Sequence, residues 1–313
     1  MPRYLHPALV VADGWADYEL LATGDGMKKE RWGRFVLVRP DPQALWPHTP
    51  SGGFDGWGDD VDAFYRRSSD GGGHWDVRRK LPEAWTVGWR GLTFRIRPTA
   101  FKHTGLFPEQ AANWAWMHER LQAWAAAEDR GRRAAESVSA PRVLNLFGYT
   151  GAATVACAAA GAVVTHVDAA KGMVTWCRDN AEASGLGDAP IRYLVDDAMK
   201  FAERERRRGN RYEGILLDPP VYGRGKDGQM WRIEADLAPL LDVLKDLLAD
   251  RAAFFLLNTY TAGLSPVAAG NLVQDALAGR GGALAVGEIG LPVLREDRVL
   301  PCGVFARWSG DRA

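Results

Sequence analysis

The sequence contains few cysteines, and their arrangement excludes two kinds of cross-linked fold. Cys157, Cys177 and Cys302 are far apart in the 313 residues and form no CxxC pair. A disulfide framework and a zinc site are therefore both disfavoured, and we expect no metal. Cys157 lies in an alanine-rich run and Cys177 in a helical pattern, which favours small core residues over nucleophiles.

An excess of positive charge is also missing. Lys and Arg together number 39, as do Asp and Glu, so the formal net charge is zero. A protein that coats nucleic acid without sequence preference is usually more basic. The overall charge therefore does not indicate a polyanionic partner, although a local basic patch remains compatible with it.

Long hydrophobic runs are absent as well. No apolar stretch is long enough to span a bilayer, and no basic segment followed by an apolar one opens the sequence. We expect a cytoplasmic protein that does not contact a membrane.

The first hundred residues show the pattern of a small β-rich module. Residues 34–39 end at Pro40, and residues 92–97 alternate polar and apolar side chains before Pro98. Between them, residues 51–76 are rich in Gly and Asp and are predicted to form a loop. We predict a first domain over residues 1–100, and its position suggests that it recruits substrate.

A helix is predicted to connect this module to the rest of the chain. Pro108 and Glu109 are typical of a first helical turn. Four large apolar side chains then recur at helical spacing and predict one buried face: Trp114, Met117, Leu121 and Trp124. Residues 101–140 are accordingly predicted to be a linker helix segment.

From residue 141 onward, short apolar runs alternate with helical patterns. Such alternation is typical of a mostly parallel sheet covered by helices on both faces. We predict a doubly wound, seven-stranded, Rossmann-like α/β domain over residues 141–313, its last two strands forming an antiparallel edge. The predicted strands are residues 143–146, 163–167, 191–195, 214–217, 253–258, 283–288 and 304–308.

Three of these strands end in residues suited to an adenosine cofactor. Gly148 and Gly151 follow the first strand, where missing side chains let a ligand approach a helix N-terminus. Asp168 ends the second strand, where an acid can bind ribose hydroxyls. Asp197 follows the third and either accepts a hydrogen bond from adenine or caps the next helix. This pattern alone does not separate NAD from S-adenosylmethionine (SAM).

The fourth strand ends in the most informative motif, Asp218-Pro219-Pro220-Val221-Tyr222. Neither proline has an N–H to donate to a sheet, and each fixes its own φ, so the chain leaves the sheet in a stiff loop. A rigid carboxylate is thereby placed at the edge where open α/β sheets bind ligands.

Together these motifs resemble the class I SAM-dependent methyltransferases. More narrowly, they are similar to the bacterial large-subunit ribosomal RNA methyltransferases, whose fourth motif is Asp-Pro-Pro-x-Phe/Tyr. The turn at residues 145–151 and the segment at 103–110 resemble that family too, and the likeness covers roughly residues 100–308. It implies SAM as cofactor and RNA, favoured as ribosomal, as substrate. It also implies that these residues lie near SAM: Thr104, Phe107, Gln110, Asn145 and Phe147.

The resemblance suggests a mechanism for the fourth motif. Asp218 and the Pro219 carbonyl would accept hydrogen bonds from an amine of the target base and orient its lone pair. Tyr222 would stack on an extruded base, or alternatively pack beneath the loop.

A cysteine nucleophile, which methylation of carbon 5 of cytosine requires, is not found where relatives carry it. Val221 follows the prolines, and residues 258–263 contain no cysteine. Cys302 is the one conceivable substitute. We therefore expect a nitrogen or oxygen acceptor.

Basic residues give three candidate RNA contacts, the first of which is Arg78-Arg79-Lys80. Arg95, Arg97 and Lys102 precede the cofactor segment and are the preferred set, whereas the arginines of residues 204–211 are interspersed with glutamate and indicate a solvated face. Three alternatives stay open at this point. They are a methyltransferase of a small molecule or protein, an NAD-dependent oxidoreductase, and a non-enzymatic RNA-binding protein.

Overall fold

The computed structural model describes residues 5–68, 72–130, 139–225 and 228–310. The amino-terminal third forms strands β1 (Ala8–Val11), β2 (Tyr18–Gly24), β3 (Met27–Trp32), β4 (Phe35–Pro40), β5 (Ala63–Arg67), β6 (Gly73–Val77), β7 (Trp85–Trp89) and β8 (Leu92–Ile96). The remainder begins with α1 (Ala111–Arg130), β9 (Arg142–Leu146), α2 (Ala152–Ala159), β10 (Val163–Asp168), α3 (Lys171–Ala183), β11 (Ile191–Val195) and α4 (Ala198–Arg207). It continues with β12 (Gly214–Leu217), β13 (Tyr222–Arg224), β14 (Met230–Arg232), α5 (Ile233–Leu244), β15 (Phe254–Thr259), α6 (Pro266–Ala276), β16 (Ala283–Pro292) and β17 (Val299–Ser309).

The chain folds into two compact units that are discontinuous in sequence. The first, here called the N-terminal unit, comprises Val11–Ala111 and Gly290–Cys302. The second, here called the sheet unit, comprises Ala112–Ile289 with the residues up to Val10 and those from Gly303 onward.

The N-terminal unit contains a five-stranded sheet and a separate hairpin. The sheet has the order β2-β3-β4-β5-β6, in which only β4 and β5 pair in parallel, and β7 pairs with β8. The predicted loop at residues 51–76 was wrong in part, because β5 and the start of β6 lie within it; residues 69–71 are outside the described residues. Ala63, Phe64 and Tyr65 are buried, and this local apolar run was masked by the Gly and Asp residues around it.

The sheet unit confirms the predicted fold class. Its sheet has the order β1-β16-β17-β15-β12-β9-β10-β11. Strands β9, β10, β11, β12 and β15 pair in parallel, while β17 runs antiparallel to β15. The last two strands were predicted to form the edge of the sheet, but β1 lies outside β16 on that side.

The sheet has eight strands rather than the predicted seven. All seven predicted strands are present, and β1 adds an eighth beside β16. A Cβ on Gly287 of β16 would lie 2.0 Å from the Ala8 carbonyl oxygen, so this glycine permits the close approach of β1. Sequence had placed these first residues in the β-rich module, because nothing local reveals a pairing with a strand so distant along the chain.

Helix α1 buries the face that was predicted for it. Trp114, Met117, Leu121 and Trp124 are all at most 8% exposed, which confirms that this aromatic stripe packs in the core. Among the described residues, no helix combines the length and apolar character needed to cross a membrane.

The core places the ends of the central strands at one edge. Every residue of β12 is buried, and Leu217 pairs with Leu146 of β9 and Leu257 of β15. Since these strands are parallel and in register, the residues that follow each of them emerge side by side.

Candidate active site

The turn after β9 has a strained backbone. Phe147 and Tyr149 adopt left-handed conformations with φ of 55° and 50°, and Gly151 has φ of 80°. The Gly148 N–H donates to the Val167 carbonyl at 3.0 Å, which ties the turn to β10. A non-glycine residue in this region costs about 1–3 kcal/mol and persists where the surrounding structure enforces it, often at a functional site.

The two glycines of this turn are required by protein packing. A Cβ on Gly148 would lie 2.4 Å from the His166 ring, and a Cβ on Gly151 would lie 2.0 Å from the Cys177 sulfur. Sequence analysis explained them by the approach of a ligand. The structure adds an independent reason, because His166 and Cys177 already occupy the space that a side chain at these positions would need.

Gly148→Ala is expected to destabilise the fold by about 1–3 kcal/mol, because the added methyl must displace the buried imidazole of His166. Denaturant unfolding measures this. Gly172→Ala is the matched control: a Cβ there meets nothing within 4 Å, and the residue lies in α3. That control should be stabilised by up to about 1 kcal/mol, since alanine favours a helix over glycine. Equal free energies of unfolding for the two variants would contradict the packing argument.

Asp168 is held by the backbone at the end of β10. Its Oδ2 accepts from the Tyr149 N–H at 2.9 Å, and its Oδ1 accepts from the Ala170 N–H at 2.8 Å. Burial raises the pKa of this carboxyl, while the two N–H donors lower it less. Each carboxylate oxygen has a further lone pair, so an ionised Asp168 can accept hydroxyl donors while keeping both backbone bonds.

The raised pKa of Asp168 predicts how SAM affinity depends on pH. On the prediction that ribose hydroxyls donate to the ionised carboxylate, affinity should be constant at high pH and fall by up to tenfold per pH unit below the pKa. Because that pKa lies above the ordinary 3.8, the fall begins at a higher pH than for an exposed aspartate. Burial lowers the pKa of His166 to about 4, so this imidazole gains a proton only near the acid end of the titration. Calorimetric titration from about pH 8 down to pH 4 tests this. The SAM affinity of Asp168→Asn should not fall with decreasing pH. A wild-type affinity that is equally independent of pH would refute the prediction.

Asp197 caps helix α4. Its Oδ1 accepts from the Lys200 N–H at 2.9 Å, which confirms the capping alternative. Its Oδ2 faces the backbone of Gly225, where a Cβ would lie 3.0 Å away. A hydrogen bond to adenine stays a prediction.

Asn145 supports the turn at residues 147–151, here called the cofactor turn because it is predicted to lie near the cofactor, through a hydrogen bond to α2. It is buried, and its Nδ2 donates to Thr154 Oγ1 of α2 at 2.8 Å. Thr154 Oγ1 lies 2.9 Å from His166 Nδ1. The amide of this predicted cofactor residue is thus directed to the first turns of α2.

The motif at residues 218–222 follows β12 and is here called the acceptor motif, because it is predicted to hold the methyl acceptor. Asp218 Oδ1 accepts from Asn258 Nδ2 at 3.0 Å, and Pro219 is buried. Tyr222 begins β13 and is 57% exposed, so the alternative in which it packs beneath the loop is not what the structure shows. Its hydroxyl donates to the Met230 sulfur across the β13–β14 hairpin at 3.5 Å.

Trp231 joins this motif to the cofactor turn, and sequence analysis missed it. Its indole Nε1 donates to the Pro220 carbonyl at 2.7 Å, and its ring centroid lies 4.9 Å from that of Phe147. No local sequence signal singles out this tryptophan among the thirteen.

Asn258 was also missed, although it lies at the carboxyl end of β15, next to β12. The rule that identified the other strand ends could have found it.

Six predicted site residues belong to the N-terminal unit. Arg95 and Arg97 are exposed, whereas Lys102 is half-buried and its Nζ donates to the Pro40 carbonyl at 3.4 Å. Burial lowers the pKa of Lys102. The structure therefore does not display this lysine on the surface with the two arginines.

The other three, Thr104, Phe107 and Gln110, were predicted to lie near the cofactor. Thr104 is fully buried, and its Oγ1 has no hydrogen-bond partner within the described ranges. Phe107 lies against His103 with 5.5 Å between ring centroids, and Gln110 is 9% exposed. Their contacts with SAM stay predictions.

None of the three cysteines has the character of a nucleophile. Cys157 and Cys177 are fully buried, which confirms them as core residues, and burial raises the pKa of Cys157 to about 12. Burial, and then the negative charge of Glu109, raise the pKa of Cys302 well above its usual range. Its thiol donates to the Leu300 carbonyl at 3.3 Å.

Comparison with known sequences gives consistent results. The family model for S-adenosylmethionine-dependent methyltransferases matches residues 57–254. The ribosomal RNA large subunit methyltransferase K/L of Magnetococcus marinus is 29% identical over 197 residues, covering 62% of this chain and 24% of that protein. The protein of the same name from Shewanella frigidimarina is 27% identical over 170 residues, covering 54% and 21%. The chain thus spans between a fifth and a quarter of the length of these curated relatives.

Solved structures agree with the sequence matches. The SAM-dependent methyltransferase from Agrobacterium tumefaciens has a TM-score of 0.87 and 37% identity, covering 98% of this chain and 95% of that one. The structure of SMU.776 complexed with S-adenosylhomocysteine (SAH) shares the fold, with a TM-score of 0.70, 19% identity, and coverage of 95% and 76%. None of these matches favours an NAD-dependent oxidoreductase. The family match over more than half of the chain, and the 37% identity over nearly all of it, show that this chain belongs to the S-adenosylmethionine-dependent methyltransferase family.

Proposed function

We propose that this methyltransferase transfers a methyl group from SAM to a nitrogen or oxygen of a base in ribosomal RNA, and that it acts in the cytoplasm. The observation that carries the proposal is the acceptor motif itself. Asp218, oriented by Asn258, ends a buried strand beside the cofactor turn, and Tyr222 presents an exposed ring four residues later.

The residues of the sheet unit fit SAM. The turn at residues 147–151 leads directly into α2, and a helix N-terminus offers N–H groups to a ligand. Asp168 is oriented to accept the ribose hydroxyls, and Asp197 stands at the end of the next strand. When bound, SAM supplies an electrophilic methyl group on a positively charged sulfur.

The enzyme's own part is alignment. Methyl transfer is an in-line displacement, so fixing the acceptor atom opposite the methyl group removes much of the barrier. Asp218 and the Pro219 carbonyl are assigned to accept hydrogen bonds from an amine of the target base. The exposed ring of Tyr222 is assigned to stack on that base once it leaves its helix or loop.

The choice of acceptor atom rests on the cysteines. Attack on carbon 5 of cytosine needs a thiolate, and the raised pKa values of Cys157 and Cys302 keep their thiols protonated. A nitrogen or oxygen acceptor already has a lone pair and needs orientation only.

Ribosomal RNA as substrate is supported by the names of the curated relatives and by two exposed arginines, Arg95 and Arg97, which can contact phosphates.

Mass spectrometry of ribosomal RNA from cells with and without this protein tests the proposed function. We expect one methylated nucleotide to be missing without the protein and to be restored when purified enzyme and SAM are added. Identical RNA from both sources would overturn the proposal.

A further inference from the structure

Four side chains of the sheet unit form a hydrogen-bonded line that ends at Asp218. Arg307 Nε donates to Asn113 Oδ1 at 2.9 Å, Asn113 Nδ2 donates to Asn258 Oδ1 at 3.2 Å, and Asn258 Nδ2 donates to Asp218 Oδ1 at 3.0 Å. The first three residues are buried, at 7%, 0% and 2% exposure. They come from β17, α1 and β15, so the line joins three elements to the acceptor motif.

All the hydrogen bonds of this line donate in the same direction, from Arg307 toward Asp218, because a guanidinium donates and a carboxylate accepts. A guanidinium can only donate, so Asn113 must turn its oxygen toward Arg307 and its nitrogen toward Asn258. Asn258 must then turn its oxygen toward Asn113 and its nitrogen toward Asp218. The orientation of both amides follows from the arginine at one end and the carboxylate at the other.

Arg307 is an expensive residue to bury for packing alone. Its guanidinium lies 4.2 Å from the Phe305 ring centroid and 5.4 Å from that of Trp116. Within the described ranges it has no acidic partner at salt-bridge distance, although the charge of Glu119 acts on it, and its Nη2 has no hydrogen-bond partner. Burial lowers its pKa to about 10. Burying a charge without an ionic partner costs folding free energy, so the presence of this arginine favours a role in the site.

We propose that Arg307, Asn113 and Asn258 are positioning residues that fix the plane of the Asp218 carboxylate toward the acceptor. The terminal torsion of an aspartate is broad, so one directed donor on Oδ1 removes much of this freedom. The proposal rests on the proposed function in assigning Asp218 to the acceptor. It adds residues that do not touch the substrate and act through Asp218.

Three variants and one control test the line. Arg307→Met and Asn258→Ala break it at its two ends, while Arg307→Lys keeps the charge and a donor. Tyr212→Phe is the matched control, since it removes a buried hydrogen bond of 2.7 Å to Glu205 at the opposite end of β12. The assay is single-turnover transfer from labelled SAM to ribosomal RNA of cells lacking the protein, and SAM affinity is measured by calorimetry.

We expect Arg307→Met and Asn258→Ala to lower the single-turnover rate by about 10- to 100-fold, because a small displacement of a reacting group has effects of this size. SAM affinity should stay within about twofold of wild type. Arg307→Lys should recover most of the rate, and Tyr212→Phe should keep all of it. Wild-type rates in the first two variants, or equal losses in rate and SAM affinity, would overturn the proposal.

Crystal structures of wild type and Asn258→Ala give a readout that needs no substrate. Rotation of the Asp218 carboxylate in the variant is expected, and an unchanged carboxylate plane would overturn the positioning role. If wild type transfers no methyl group to ribosomal RNA, the proposed function fails while this structural comparison still decides the role of the line.

Discussion

Asp218→Ala is expected to lower the rate of methyl transfer by about 10²- to 10³-fold and to leave SAM affinity within about twofold of wild type. The variant keeps Pro219, Pro220 and the cofactor turn, so the donor site is intact. It loses the carboxylate that is to hold the acceptor amine, and only the transfer step should suffer. Single-turnover rates on unmodified ribosomal RNA, with calorimetric SAM affinity, separate the two effects.

Asp218→Asn sharpens this expectation. The N–H of Asn258 requires an acceptor, so the new amide would turn its oxygen toward Asn258 and its nitrogen toward the substrate. A donor would then face an amine that also donates, and the variant should be about as slow as the alanine variant. Asp242→Ala is the matched control, because that exposed aspartate of α5 pairs with Lys245 on the surface. Asp218 variants as fast as this control would remove Asp218 from the mechanism.

Asp168→Ala is expected to weaken SAM binding by about 100-fold or more. Hydrogen bonds to a charged group contribute about 1.5–3 kcal/mol each, and the variant loses those from the ribose hydroxyls. It also loses the acceptor for the Tyr149 and Ala170 N–H groups, which orients the strained turn. In a thermal-shift titration, SAM should stabilise the wild type and have little effect on the variant at the same concentration.

Asp168→Asn provides the graded comparison. The asparagine keeps one oxygen that can serve one of the two backbone donors, so its SAM affinity should lie between those of wild type and the alanine variant. An alanine variant that binds SAM as tightly as wild type would exclude Asp168 from the cofactor site.

The central strands and their terminal residues were predictable because parallel sheets leave a local signal. Strand β12 is a continuous apolar run that Asp218 directly follows, and the mostly buried β10 ends at Asp168. Strand β1 is also a short apolar run, but its partner lies near the other end of the chain, so nothing local reveals which sheet it joins.

Apart from Asn258, the supporting residues of the site were not predictable for the same reason. Asn113 and Arg307 are hydrogen-bonded although 194 positions separate them. Trp231 acts on Pro220 and Phe147 from a hairpin whose residues show no distinctive pattern. Sequence periodicity records which face of an element is buried, whereas these contacts depend on which elements the fold brings together.

Trp231 has a consequence for the order of events in a catalytic cycle. This one side chain contacts both Pro220 and the ring of Phe147, so a displacement of Phe147 on binding of the cofactor would be transmitted to Pro220. Any change that the donor makes in affinity for the acceptor must be matched by an equal change in the reverse direction. If Phe147 contacts the cofactor as predicted, release of SAH and release of the methylated product are expected to be linked through this indole.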